Sequence, residues 1–307
     1  MTFDRMTLIV PDNTKFDECN IITKGDVVIG NRCLLQFGIK TDGRIFIGEH
    51  VKIEGNLIAN DDIRVDIFSS IVGNVRSERN IYLGEKVNVK GKLSLKGDLD
   101  VGDSVVIDQG FEARGWINIR SPIPVVIYIF IYLLQLLKMG HSEEIEKILK
   151  ELEENNESTI AISEIFLFIP DNTTIGILKS KVDYNLNIGK KSILRGNFDV
   201  KGNVTIESDS VVHGSIISTG DFYCGKNTAV NGNIVSNNNV KIEEKSSIAG
   251  NISGNKIFLS KTASINGELF AKEGVSFISP SKIKMDEKVK RFETEANIVD
   301  EVKNILE

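Results

Sequence analysis

The chain has 307 residues and sets 37 lysines and arginines against 43 aspartates and glutamates, a net charge of −6. With no basic stripe anywhere along it, that balance argues against a nucleic-acid partner, because a phosphate-binding surface needs clustered cations. Three scattered cysteines, Cys19, Cys33 and Cys224, make no disulfide framework and have no clustered neighbours for a metal site.

The first residues, Met1 Thr2 Phe3 Asp4 Arg5, have neither the charged nor the apolar region of a signal peptide, so a cytoplasmic address is expected. An 18-residue beat then begins, with Ile9, Val27, Ile45, Ile63, Ile81, Leu99 and Ile117 each 18 apart. Such a period signals a solenoid. Within each beat apolar or small residues recur at offsets 0, 2, 6, 8, 12 and 14, as in Ile45, Ile47, Val51, Ile53, Leu57 and Ala59. A spacing of two is strand periodicity, so each coil has three short strands, with the polar or glycine residues between them at the corners of a triangle. Stacked coils bury all six inward columns, and no coil is stable alone. Glycine at offset 3 (Gly30, Gly48, Gly84) and offset 10 (Gly55, Gly73, Gly91) meets a need for positive φ or close backbone approach. Asn56 and Asn74, just behind the second set, read as turn chemistry and an amide ladder rather than a rail for a ligand.

The first array, residues 1–120, closes before Pro122 and Pro124, and the run Ile123–Leu137 is the only long apolar stretch in the chain. As a helix its fifteen residues reach about 22 Å, short of the ~30 Å hydrocarbon core. Tyr128, Tyr132, Gln135 and Met139 fall on one helical face and the rest of the circumference is aliphatic or Phe. That distribution suits a helix lying in a membrane surface. Ile123, Val126, Ile127, Phe130, Ile131, Leu133, Leu134 and Leu137 would enter the lipid, and Trp116 and Lys138, with Arg114 and Arg120, would sit at headgroup depth. The alternative is a helix buried against the second half or a second subunit. Ser142 then offers an N-cap to an amphipathic helix striped by Ile145, Ile148, Leu149 and Leu152, so residues 121–158 read as a helical hairpin bent at Gly140.

The beat resumes in residues 159–284 at Phe168, Leu186, Val204, Phe222 and Val240, slips by one residue to Ile257, and returns at Val275. Pro11 Asp12 Asn13 Thr14 and Pro170 Asp171 Asn172 Thr173 open the two arrays alike, which points to duplication. Cys33 and Cys224 fall at inward offsets as small apolar fillers. The tail, 285–307, carries a heptad-like stripe of Met285, Val289, Phe292, Ala296, Val299 and Leu306, fit to cap the last coil or to pair with another chain. The predicted fold is thus all-β: two β-solenoid domains of triangular 18-residue coils, separated by a helical hairpin and followed by a C-terminal helix.

Units of the form apolar, x, Gly, x, apolar, x, small recur as Ile53 Glu54 Gly55 Asn56 Leu57 Ile58 Ala59, as Ile71 Val72 Gly73 Asn74 Val75 Arg76 Ser77, and as Val230 Asn231 Gly232 Asn233 Ile234 Val235 Ser236. Across residues 9–119 and 168–278 the chain resembles the bactofilin family of polymer-forming cytoskeletal proteins. The resemblance implies a right-handed β-helix, end-to-end assembly without nucleotide, attachment to the inner membrane surface, and neither catalysis nor cofactor. The expected partners are other copies of the chain and a lipid surface. The chain departs from the family pattern in having two arrays, with its apolar segment between them.

Two other readings compete. Hexapeptide-repeat acyltransferases also use 18-residue coils, and Ile29 Gly30 Asn31 Arg32 Cys33 and Ile188 Gly189 Lys190 Lys191 Ser192 would pass as their hexads, but the other hexads of each coil do not conform. Their catalytic base is usually histidine. Here His50, His141 and His213 have no acid or nucleophile cluster beside them, so no catalytic, cofactor-binding or metal residue is expected. The third reading is a membrane scaffold that recruits a partner without polymerising.

Overall fold

The computed structural model of the chain describes residues 6–120 and 166–278, and every regular element among them is a β-strand. They fall into two compact units that divide between Val182 and Asp183. The expected helical hairpin at 121–158 and the helix at 285–307 lie outside the described residues.

The first unit is a stack of triangular coils. One coil runs through strands Ile45–Ile47, Lys52–Ile53 and Leu57–Ala59. The next repeats it 18 residues on, in parallel register, with Ile63 beside Ile45, Ile71 beside Ile53 and Val75 beside Leu57. Backbone bonds run from coil to coil, as from Ile45 N–H to Asp62 O at 3.0 Å and from Ile63 N–H to Asn80 O at 3.0 Å. All six expected inward positions of this coil are buried, as are Phe222, Cys224, Thr228, Val230, Ile234 and Ser236 in the second unit.

Some inward columns carry hydroxyls, and several of these bond a corner carbonyl of the coil before. Ser69 donates to Gly48 O at 2.8 Å, Ser77 to Asp61 O at 2.8 Å, and Ser246 to Gly225 O at 2.7 Å. A buried hydroxyl costs stability unless it is bonded, and these are.

At the corners of the first unit the structure selects between the two needs expected of glycine. The left-handed backbone falls on Arg32, His50, Phe68, Lys86 and Ser104, all with φ between 55° and 58°, and not on Gly30, Gly48, Gly84 or Gly102. Close approach is what these glycines provide, whereas Gly196 in the second unit takes a positive φ of 96°. A Cβ on Gly73 would lie 2.4 Å from Gly55 O, and one on Gly48 would lie 2.4 Å from Asn31 Oδ1. The asparagine column bonds backbone rather than other amides, since Asn56 Oδ1 accepts Asn74 N–H and Asn74 Oδ1 accepts Lys92 N–H, each at 2.8 Å. A parallel column at another corner passes from Asp62 through Asn80 and Asp98 to the Trp116 N–H.

The opening strands break the beat. Ile9 and Phe168 were expected on the beat's inward column, but Ile9 is half-buried between the buried Leu8 and Val10, and Phe168, buried as well, lies between Leu167 and Ile169, of which Leu167 takes the place beside Val27. Ile9 and Phe168 pair with each other across an antiparallel step. The cause is one extra residue in the coil: the left-handed Asn13 precedes the left-handed Arg32 by 19 positions, where later corners are 18 apart. Strand Phe166–Ile169, at the head of the second array in sequence, lies parallel to Asp26–Ile29 with Leu167 beside Val27, and Thr174–Ile175 lies parallel to Leu34–Leu35. Residues 166–182 therefore fall in the first compact unit, whereas the sequence places the second array's start at 159.

The second unit repeats the architecture from Asn185–Ile188 to Val275–Ile278. Its slip is real. Val240 pairs with Ile257, 17 residues on, because the corner after Ile252–Gly254 is one residue short.

Ile71 and Val230 are fully buried, so Ile71→Asp and Val230→Asp each place a carboxylate between coils without a partner. Each substitution is expected to cost ~4 kcal/mol. Chemical denaturation of both variants checks this, and wild-type midpoints would contradict the inward assignment.

Candidate assembly surfaces

Stacking leaves an end, and there the buried columns surface. Phe111 continues the column of Leu93, yet it is 45% exposed where Leu93 is 0% exposed. Ile117 and Ile119 in the same coil of the first unit are exposed as well. In the second unit Phe277 is 66% exposed above a buried Leu259, and Leu269 and Val275 share its coil. Both terminal coils thus carry three strand edges with apolar columns open beside them. Such edges present unpaired N–H and C=O groups that invite another strand.

An open groove of about 1040 Å³ follows the outer side of one face of the first unit. Its cations are engaged: Arg64 stacks on Tyr82 at 4.5 Å and Arg120 bonds Asp100 at 2.5 Å. At a neighbouring corner the His50 ring stacks on Phe68 with centroids 4.9 Å apart, and Lys86 sits 5.0 Å from the Phe68 ring. The exposed His213 ring contacts Asn231 at 3.0 Å through Nδ1. Among the described residues no group of three or more His, Cys, Asp or Glu is placed to hold a metal ion, and no helix is long and apolar enough to cross a membrane.

Of the residues expected at a membrane, the structure describes Trp116 and the flanking Arg114 and Arg120, and the two arginines are exposed. Trp116 is the most telling of the three. It lies on the last coil of the first unit, 84% exposed, with its backbone N–H on Asp98 Oδ1. Ile123, Val126, Ile127, Phe130, Ile131, Leu133, Leu134, Leu137 and Lys138 lie outside the described residues. The sequence reading did not single out the terminal-coil residues Phe111, Ile119 and Phe277. The available signal was the end of the beat at Ile117 and Val275, each shortly before a proline.

The inward cysteines behave as fillers. Burial raises the Cys33 thiol from its ordinary 9.0 to about 11 and the Cys224 thiol to about 12. The Cys33 thiol donates to Pro170 O at 3.1 Å. A folded-state value above the unfolded one means that these protons stabilise the fold fully below about pH 9, and that the contribution is lost as pH rises toward 11 and 12. At pH 8 one thiol, the exposed Cys19, is expected to react with a thiol reagent and all three after denaturation. The melting temperature should fall as pH is raised above 9, and prompt native reaction of all three thiols would contradict the burial.

Residues 176–297 match the family model for bactofilin, described as polymer-forming cytoskeletal. No curated protein and no solved structure matches the chain.

Proposed function

Taking residues 176–297 as a bactofilin domain, and hence a cytoskeletal scaffold role for the chain, we propose that the protein is a non-catalytic, cytoplasmic polymer former held at the inner membrane surface by its apolar insert. Its partners are further copies of itself and a lipid surface, with no nucleotide, nucleic acid or cofactor. The observation that carries the reading is the pair of open terminal coils, where Phe111 and Phe277 stand exposed in columns that are otherwise buried. Stacking of such edges between copies continues the backbone ladder and removes apolar area from water at ~25 cal/mol per Å². The tail at 285–307 acts either as a cap on the last coil or as a zipper to another chain.

Electron microscopy of the purified protein without nucleotide should show filaments or short stacked assemblies. Phe111→Glu and Phe277→Glu, which alter exposed positions and leave each solenoid core intact, should shift the population toward single particles. Deleting 285–307 should increase assembly if the tail caps and decrease it if the tail zips. A protein that stays monomeric at every concentration, with and without the tail, removes the polymer and leaves the membrane scaffold that recruits a partner.

The membrane arm rests on length and placement. The run Ile123–Leu137 is apolar but shorter than a span, and it follows closely on the exposed Trp116 and on Arg120. Burying side chains such as Ile127, Phe130 and Leu134 at ~1.5–3 kcal/mol each would give several kcal/mol of adhesion after losses to ordering. Replacing Ile127, Phe130 and Leu134 by Glu should release the protein from liposomes without changing its thermal unfolding. If the parent ignores liposomes and the triple variant aggregates, the segment is a protein contact.

A further inference from the structure

The strand edge formed by Asp26–Ile29 and Leu34–Leu35 is occupied by a segment distant in sequence. Four consecutive residues, Phe166 to Ile169, run beside Asp26 to Ile29, and Thr174 and Ile175 run beside Leu34 and Leu35. Gly30 N–H donates to Ile169 O at 2.7 Å, Leu34 N–H to Thr173 O at 3.0 Å, and Gln36 N–H to Ile175 O at 2.9 Å. The turn between the two strands clasps the same edge, since Asp171 Oδ1 accepts the Asn31 N–H at 2.7 Å and Asn172 N–H donates to Asn31 O at 2.9 Å. Gly30 leaves room for that clasp, as a Cβ there would lie 2.2 Å from Asp171 Oδ1. Leu167, Ile169 and Ile175 are each 1% exposed, so the segment supplies core as well as ladder.

The segment is not the continuation of the coil it completes. Residues 30–165 intervene in the chain, and the first array's last strand, Ile117–Ile119, is separated from Phe166 by 46 residues. Nothing in the local geometry requires that the strand come from the same molecule: the edge recognises backbone groups, three apolar side chains and the Asp171 carboxylate. We propose that this edge is a strand-acceptor site whose ligand is the 166–175 segment of this chain, and that the segment is accepted from a second copy as well as in cis, so that copies become linked by exchange. This is strand addition with a specific clasp, and exchange of an identical element is a low-cost route to association because it makes no contact absent from the single chain. A tether of this length holds the cis segment at an effective concentration on the order of mM or below, so exchange grows with protein concentration.

The test uses the full-length chain. Leu34 and Thr174 are Cα partners and both half-buried, so Leu34→Cys and Thr174→Cys report the pairing to a short bifunctional thiol cross-linker. Cys19→Ser removes the exposed native thiol from both. A single chain carrying both substitutions should cross-link within itself. Two differently tagged chains, one with each substitution, are unfolded together, refolded over a range of concentrations, and cross-linked. The expected result is a mixed product containing one chain of each kind, whose ratio to uncross-linked chain rises about tenfold for each tenfold rise in concentration. Chains carrying Leu34→Cys alone or Thr174→Cys alone should give no such product. A mixed product that is absent at every concentration, while the double variant cross-links within one chain, overturns exchange. Failure of the double variant itself overturns the pairing. Exchange does not depend on the terminal coils, so filaments without mixed product would sink this inference and leave the scaffold reading standing.

Discussion

The rest of the structure depends on coil-to-coil backbone pairing at a fixed step. Once Ile63 lies beside Ile45 and Ile81, every side chain in a coil is committed to stand on its counterpart 18 residues away. A position is then judged by its column rather than by its neighbours in sequence. Inward columns must be apolar or carry a hydroxyl short enough to reach a carbonyl of the previous coil, as Ser69 and Ser246 do. Corner columns face a different demand. Successive corners approach so closely that Gly55, Gly73 and Gly91 leave no space for a Cβ, while behind the first two stand Asn56 and Asn74, whose side-chain oxygens reach the next coil's N–H. Each such bond contributes only about 1 kcal/mol, but it recurs along the stack.

The same rule makes the ends of a stack unlike its middle. In the first unit the leading edge is closed by residues 166–175, and beyond them lies Thr7–Val10, which pairs antiparallel with Phe166–Ile169. The trailing edge ends in Phe111, Ile117 and Ile119 with their apolar surface in the open. A solenoid that buries its columns everywhere but at one end concentrates its adhesive surface there.

Much of this was legible from spacing alone. The three strands per coil, the six inward offsets and the short corner before Ile257 follow from an 18-residue beat read against strand periodicity, because a column of identical environment imposes a column of similar residues. What escaped the reading did so for physical reasons. Phe68 sits in left-handed backbone at φ 58°, which its side chain does not advertise, and stacking against His50 and Lys86 offsets part of the strain. The bond of Ser69 to Gly48 O spans 21 residues, so no local spacing announces it. Ile9 and Phe168 fitted the beat numerically, and only the 19-residue step from Asn13 to Arg32 shows that the phase had moved. Of the candidate membrane residues, Trp116 and the flanking Arg114 and Arg120 fall on the first unit's terminal coil, and all three are exposed.

Parallel pairing also constrains what the two edges of the first unit can accept. A parallel coil extends another only if it brings three short strands in the same direction with their inward residues in phase. The trailing edge at Phe111–Ala113 and Ile117–Ile119 meets that condition, since the strands beneath it are parallel at every face. The leading side does not, because the antiparallel strand Thr7–Val10 reverses the direction and its inward residues, Leu8 and Val10, are out of phase with the beat. Direction and phase together therefore confine in-register growth of this unit to its trailing coil.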